Sequence, residues 1–366
     1  MKLKFSGDEL YKCFNLISGV IPSSSVKHIL QGVRVDIGNK KVELMATDLE
    51  MLVKYNLLTE NCVEEGNIVL PAIRVNNILR EWAGNDEVVV DIEGSSCTLR
   101  SCGGHFKIMG EVSNSFPEVR VSDVKGFVEI DGEVISNSIG KVVHAVSAVK
   151  VRSPLSGVLV RVEGNDIIVV AADGNRLSYI KRKVENTEGV FMDGVVTVKC
   201  LTFLQRFITE CGGVLRIGIG ESQARFLGQK GEVISQLLEG PYPKYEDVIP
   251  KGNDKRIEVD REGLISMVKM ASFMTSEGYR VVKFVFKSGK LVLISKAIDV
   301  GEAELEIGID YHGDEFEINF NPDYVLDALR FSENEKIIIE VKDNDTAALF
   351  RTGHEQMEVI MPVELK

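Results

Sequence analysis

The stretch IIVVAADGNRLSYI, Ile167 to Ile180, decides the fold. Four β-branched residues, Ile167 to Val170, run into Ala171-Ala172-Asp173-Gly174, and a second strand-like run starts at Leu177. That pattern reads as a strand, a tight turn and a returning strand. It also stands 125 residues earlier in VELMATDLEMLVKY, with Thr47-Asp48 in place of Ala172-Asp173. Another 124 residues on, LVLISKAIDVGEAEL, Leu291 to Leu305, repeats the polar-interrupted strand pair. Pro243 follows Pro117 by 126 residues, which is the same period.

Working outward, each copy opens on a short strand and an acid-led helix. In the first, Lys2 to Phe5 precedes a helix with Leu10, Cys13, Phe14 and Ile17 on one face. A second helix starts at Pro71 and turns Val75, Ile78, Leu79 and Trp82 inward at i, i+3, i+4, i+7. The second copy has Ile135, Ile139, Val142, Val143 and Val146 inward with Asn137, Lys141 and His144 outward, then a helix carrying Leu201, Leu204 and Ile208. In the third, Asp260 caps a helix burying Leu264, Met267, Val268 and Ala271, and Asn321-Pro322 caps the last helix. Strand, helix, about three strands, helix and about three strands make an α+β unit of β-rich character, with both helices on one side. Three repeated domains are expected over 1–124, 125–252 and 253–366.

Lys plus Arg number 43 against 55 Asp plus Glu, a net charge of −12, so any contact with a polyanion must be local. The helices depart from that average. Lys12, Arg74, Arg80, Lys141, Lys199, Arg206, Arg261, Lys269 and Arg330 balance Asp8, Glu9, Glu81, Glu133, Glu210, Asp260, Glu262, Asp323 and Asp327. Most of these acids sit at helix starts, where the macrodipole favours them, which leaves the helix bodies mildly basic. The cysteines, Cys13, Cys62, Cys97, Cys102, Cys200 and Cys211, contain no C-x-x-C pair and read as reduced thiols of a cytoplasmic protein. No apolar leader and no membrane span stand out, so neither export nor a membrane is expected.

Catalytic chemistry is not written here. His28, His105, His144, His312 and His354 form no H-x-x-H pair, and no nucleophile elbow or phosphate loop occurs. Asp173 beside Asn175 and Arg176 reads as an Asx-type turn; the alternative is an acid–base cluster of a hydrolase or transferase. A repeat scaffold that binds peptides without DNA is a further alternative. No catalytic residue, metal or cofactor is assigned.

VAADGNRLS, then GPYPKYEDVIP (Gly240 to Pro250), FNPDYVLDAL (Phe320 to Leu329) and VIMPV (Val359 to Val363), with the threefold repeat, resemble the bacterial DNA polymerase III beta subunit family over the whole chain. The resemblance implies a DNA clamp fold without enzymatic activity. Two copies would close head to tail into a homodimer ring, helices lining the pore around duplex DNA and sheets outside. Partners would be the replicative polymerase, the clamp loader and other proteins carrying a short clamp-binding peptide. The implied peptide cleft consists of Leu155, Ala172, Gly174, Asn175, Arg176, Leu177, Pro243, Val248, Asn321, Tyr324, Val359, Ile360, Met361, Pro362 and Val363. DNA-facing candidates are Lys12, Arg80, Lys141, Lys150, Arg152, Lys199, Arg206, Lys269 and Arg330, which would meet phosphates without reading bases. At the dimer contact the resemblance sets Phe106 and Ile108 against Phe273 and Met274, and Arg74 and Lys107 against Glu302 and Glu304. The chain departs from the family at Ser24 and Ser153-Pro154, beside the DNA, and at Asn175, Asp247 and Glu364, which make the cleft rim more acidic.

Overall fold

The computed structural model describes residues 2–364 except 23, 39–40, 60–64, 85–86, 102, 125, 149–152, 277, 279 and 298–300. Lys150, Arg152, Cys62 and Cys102 therefore lie outside the described residues.

The first copy comprises β1 (Lys2–Phe5), α1 (Gly7–Ser18), β2 (Gly32–Gly38), β3 (Lys41–Thr47), β4 (Met51–Leu58), β5 (Gly66–Pro71), α2 (Ala72–Glu81), β6 (Val88–Glu93), β7 (Ser96–Ser101) and β8 (Gly104–Met109). The second comprises β9 (Val128–Asp131), α3 (Gly132–Val142), β10 (Gly157–Glu163), β11 (Asp166–Ala172), β12 (Arg176–Lys183), β13 (Met192–Thr197), α4 (Val198–Cys211), β14 (Val214–Ile219), β15 (Gln223–Gly228) and β16 (Gly231–Gln236). The third comprises β17 (Lys255–Asp260), α5 (Arg261–Ser272), β18 (Val282–Lys287), β19 (Lys290–Ala297), β20 (Gly301–Gly308), β21 (Phe316–Phe320), α6 (Pro322–Arg330), β22 (Lys336–Val341), β23 (Ala348–Gly353) and β24 (Gln356–Ile360). Each copy thus has four strands between its helices where about three were expected. The added strand in each copy delivers the chain to the second helix.

The helix starts follow local chemistry. Thr197 accepts from the Cys200 amide, Asp260 from Gly263 and Asn321 from Asp323, each satisfying a donor that the first turn leaves free. Pro322 occupies the first turn of α6 as expected, whereas Pro71 is the cap residue itself, one position before α2. On α1 and α5 every residue expected inward is buried. Ile78 of α2 and Trp82, the residue that ends it, are only half-buried, and the Trp82 ring meets Phe106 at 5.3 Å.

Contacts divide the chain into two compact units, Met1–Ser136 with Val184–Leu237 and Asn137–Lys183 with Leu238–Lys366. The first unit holds a sheet ordered β1-β6-β7-β8 and another ordered β5-β2-β3-β4-β16-β15-β14-β9. In the second, β10-β11-β12-β24-β23-β22-β17 lie in that order, beside a sheet ordered β20-β19-β18-β21. Two seams join copies: β4 pairs antiparallel with β16, Val53 opposite Val233, and β12 with β24, Leu177 opposite Val359. The core of the second unit includes Phe284, Phe320 and Phe350, with Phe284 and Phe320 edge to face at 5.2 Å. Each such fully buried apolar side chain contributes about 1.5–3 kcal/mol over its exposed state.

Candidate partner-binding cleft

The turn at Asp173 is an Asx turn, which settles the local choice left open above. Its Oδ1 accepts from the amides of Asn175 and Arg176, and Asp48 does the same for Glu50 and Met51. Gly174 adopts φ +96°, and Leu49 holds the matching place in the first copy at φ +77°, a conformation that costs a branched side chain energy. The Asp173 carboxylate is committed to this turn and to Arg176, so it is not poised as a general base.

Arg176 is held on all sides. Nε donates to Asp173 Oδ2 at 3.1 Å, Nη1 to Asp327 Oδ2 at 2.7 Å and Nη2 to the His144 carbonyl, while the guanidinium lies 4.5 Å from the Tyr324 ring centroid. Such charge-assisted bonds fix the group's direction as well as its position.

Beside it lies a cavity of about 120 Å³ lined by Leu155, Ala172, Gly174, Arg176, Leu177, Tyr242, Pro243, Tyr245, Val248, Val359 and Met361. Nine of these were among the expected cleft residues, and strand alternation explains why Ile360, also expected, is not a lining residue. Val359 and Met361 point into the cavity, so Ile360 between them points away and is 1% exposed in the core. Asn321 uses its side chain as the α6 cap, and Tyr324 lies under Arg176. Asn175 accepts the Met361 amide at 2.8 Å, and the Val363 amide donates to Asn319 at 2.9 Å, which leads the tail, through Pro362, past the cavity. Tyr242 and Tyr245 were missed. The aromatic spacing in Gly240–Pro250 was their signal: Tyr245 is buried, with Tyr179 at 6.0 Å and the Arg161 guanidinium over its ring at 5.5 Å. Burial pushes the Tyr245 phenol up to about 12. Apolar walls with a fixed cation at one end suit an extended peptide with apolar anchors.

The basic candidates divide. Lys12, Arg80, Arg206, Lys269 and Arg330 are exposed, Arg80 within 3.5 Å of Glu81 and Arg330 within 3.7 Å of Asp327. Lys199 is exposed, but its ammonium is engaged by Asp48. Lys141 was expected outward and is 9% exposed, its ammonium on Glu333. His144, also expected outward, has a buried ring. Ser138 and Lys141, three residues apart on α3, share a buried face that their polarity concealed.

Of the contact candidates, Phe106 on β8 is 47% exposed and Phe273, after α5, 63%. Ile108 is 3% exposed and belongs to the interior of its own sheet, whereas its neighbour Met109 is 64% exposed. Arg74, Lys107, Glu302 and Glu304 are exposed, Glu302 standing 3.5 Å from Lys296, and Met274 is half-buried. Cys13, Cys97, Cys200 and Cys211 are free thiols, and burial raises all four above the usual thiol range. No helix among the described residues is long and apolar enough to cross a membrane.

Three family models match successive parts of the chain. The N-terminal domain of the DNA polymerase III beta subunit matches residues 1–120, the central domain 129–244 and the C-terminal domain 246–364. The beta sliding clamp of Pseudomonas putida is 25% identical over 367 residues, covering all of both chains. That of Chlamydia muridarum is 26% identical over 369 residues, covering 100% of this chain and 99% of the relative. A solved Pseudomonas aeruginosa sliding clamp bound to griselimycin superposes with a TM-score of 0.94 at 26% identity, each chain covered completely. This chain belongs to the DNA polymerase III beta subunit family.

Proposed function

We propose that the chain works as a DNA sliding clamp, a processivity factor and not a catalyst, in a ring of two copies joined head to tail. The observation that carries this reading is the pairing of β4 with β16 and of β12 with β24. In the repeat, β4, β12 and β20 are equivalent, and so are β8, β16 and β24. β20 and β8 end their sheets, so β20 of one copy pairs with β8 of the next and a two-copy ring closes. Exposed Phe106, Met109 and Phe273 supply apolar area at that contact. Three domains, 1–124, 125–252 and 253–366, then follow the repeat.

Lys12, Arg80, Arg206, Lys269 and Arg330, with Lys199 once Asp48 releases it, would touch phosphates loosely and without sequence preference. The cleft around Arg176 and Leu177 would receive the peptides of the replicative polymerase, the clamp loader and other partners. Duplex DNA would be held by topology, in the cytoplasm.

The test is retention on nicked circular DNA after loading by a clamp loader, against the same DNA made linear. Retention on the circle with rapid loss from linear ends is expected. Equal loss from both, with a loader that works on a control clamp, would replace this reading by the peptide-binding scaffold.

A further inference from the structure

Behind the cleft floor lies a second polar cluster, centred on a carboxyl group that peptide binding does not by itself require. Glu358 of β24 is 2% exposed and stands opposite Ser178 of β12. Its Oε1 accepts from Ser178 Oγ at 2.7 Å, and its Oε2 stands 3.4 Å from His144 Nε2, at ion-pair distance but beyond a well-formed hydrogen bond. The imidazole stacks on Phe331 at 5.0 Å, and neither ring nitrogen has a hydrogen-bond partner among the described residues. A buried carboxylate with a single hydrogen bond is costly, and so is a buried imidazole with none. A proton on the Glu358 carboxyl, directed at His144 Nε2, relieves both costs.

The charged groups around this pair come from each neighbouring element. β12 and its turn bring Arg176 and Asp173, and α6 brings Asp327, which also meets Arg330. From α3 comes Lys141, whose ammonium turns to Glu333, and Arg182 binds the same carboxylate. Ionising Glu358 therefore adds a third carboxylate to the surroundings of Arg176. Burial holds the Glu358 carboxyl above its ordinary range, against the pull of His144, Ser178 and Arg176.

Pair and cleft are joined through His144, whose ring faces Glu358 while its carbonyl accepts from Arg176. Arg176 and Val359, the residue after Glu358, both line the cavity. We propose that Glu358, facing His144, takes up a proton and acts as a positioning residue for Arg176, so that the cleft binds a partner peptide more tightly when Glu358 is protonated. With Glu358 neutral, Arg176 stays with Asp173 and Asp327 at the cavity wall; with Glu358 charged, it is drawn inward. The inference rests on the cleft reading given above.

The probe is a fluorescent copy of the replicative polymerase's clamp-binding peptide, titrated into wild type and Glu358→Gln between about pH 5 and about pH 8. Wild-type affinity should weaken by about threefold or more as pH rises, and Glu358→Gln should stay flat near the acid value. Parallel profiles, or a flat wild type, overturn the inference. A second readout needs no variant: the Glu358 carboxyl carbon resonance of wild type, followed against pH, should titrate at a higher midpoint with peptide bound. An unchanged midpoint also overturns it. A peptide that binds at no pH removes the cleft reading and this inference together, whereas binding with a flat profile removes only the inference.

Discussion

Asp327 holds Arg176 at 2.7 Å across 151 positions of sequence, tying the turn that opens β12 to helix α6. Replacing Arg176 by Ala removes an ion-pair partner from two half-buried carboxylates, Asp173 keeping its turn amides and Asp327 its contact with Arg330. Loss of a charged hydrogen-bond partner at such half-buried groups costs roughly 1.5–3 kcal/mol. Urea unfolding should show that loss, and the labelled polymerase peptide should bind at least tenfold more weakly. Wild-type stability in Arg176→Ala would contradict the ion-pair geometry.

Met361 contributes through its exposed side of the cavity. Met361→Ala should weaken the same peptide by about tenfold while changing stability by less than about 1 kcal/mol. Equal affinity would remove Met361 from the cleft.

Glu358 also sets a stability test with a definite sign. Its folded-state carboxyl titrates above the ordinary glutamate value of about 4.3. The contribution of the protonated form is complete below that ordinary value and lost as pH rises through the raised one. Wild type should therefore lose stability relative to Glu358→Gln as pH rises above the ordinary glutamate range. Parallel denaturation curves would show that Glu358 keeps an ordinary carboxyl.

At the free edge, Phe106→Asp should convert the two-copy assembly to single chains in light scattering at micromolar concentration. The variant also loses the Trp82 ring contact, worth about 0.5–1.5 kcal/mol, so a melt must accompany it. A folded variant that stays dimeric would exclude β8 from the contact.

Lys12→Ala, Arg206→Ala and Lys269→Ala should each lower the salt dependence of DNA binding by about one in log–log slope without altering sequence preference. Fluorescence anisotropy on short duplexes over a salt series measures this. An unchanged slope in all three would put the basic helix faces away from DNA.

Much of this structure could be read in the chain wherever one periodicity decided the outcome. Leu264, Met267, Val268 and Ala271 follow the helical repeat and are buried, and the Asp173 turn has the hydrogen bonds its residue type favours. Lys141 could not be read that way, because the group that buries it, Glu333, lies 192 positions on. Glu358 carries no burial signal in its own strand, because the groups that enclose its carboxyl, Ser178 and His144, come from distant segments. Ile360 was included with its neighbours because a contiguous motif, VIMPV, hides the two-residue period of the strand carrying it. The site is thus assembled by pairings between distant segments, which a linear pattern does not record.

The unpaired edges of β8 and β20 also govern how the purified protein behaves. An open strand is a template for any other strand, its own copies included, and so a source of aggregation. β20 is protected against itself: Glu302, Glu304 and Glu306 alternate along its exposed face, and a β20–β20 ribbon would set acid against acid. β8 carries His105 and Lys107 beside exposed Phe106 and Met109, which gives it far weaker protection. Dilute or interface-damaged preparations should therefore precipitate through β8, and a single acidic residue placed there is the remedy for keeping lone chains in solution.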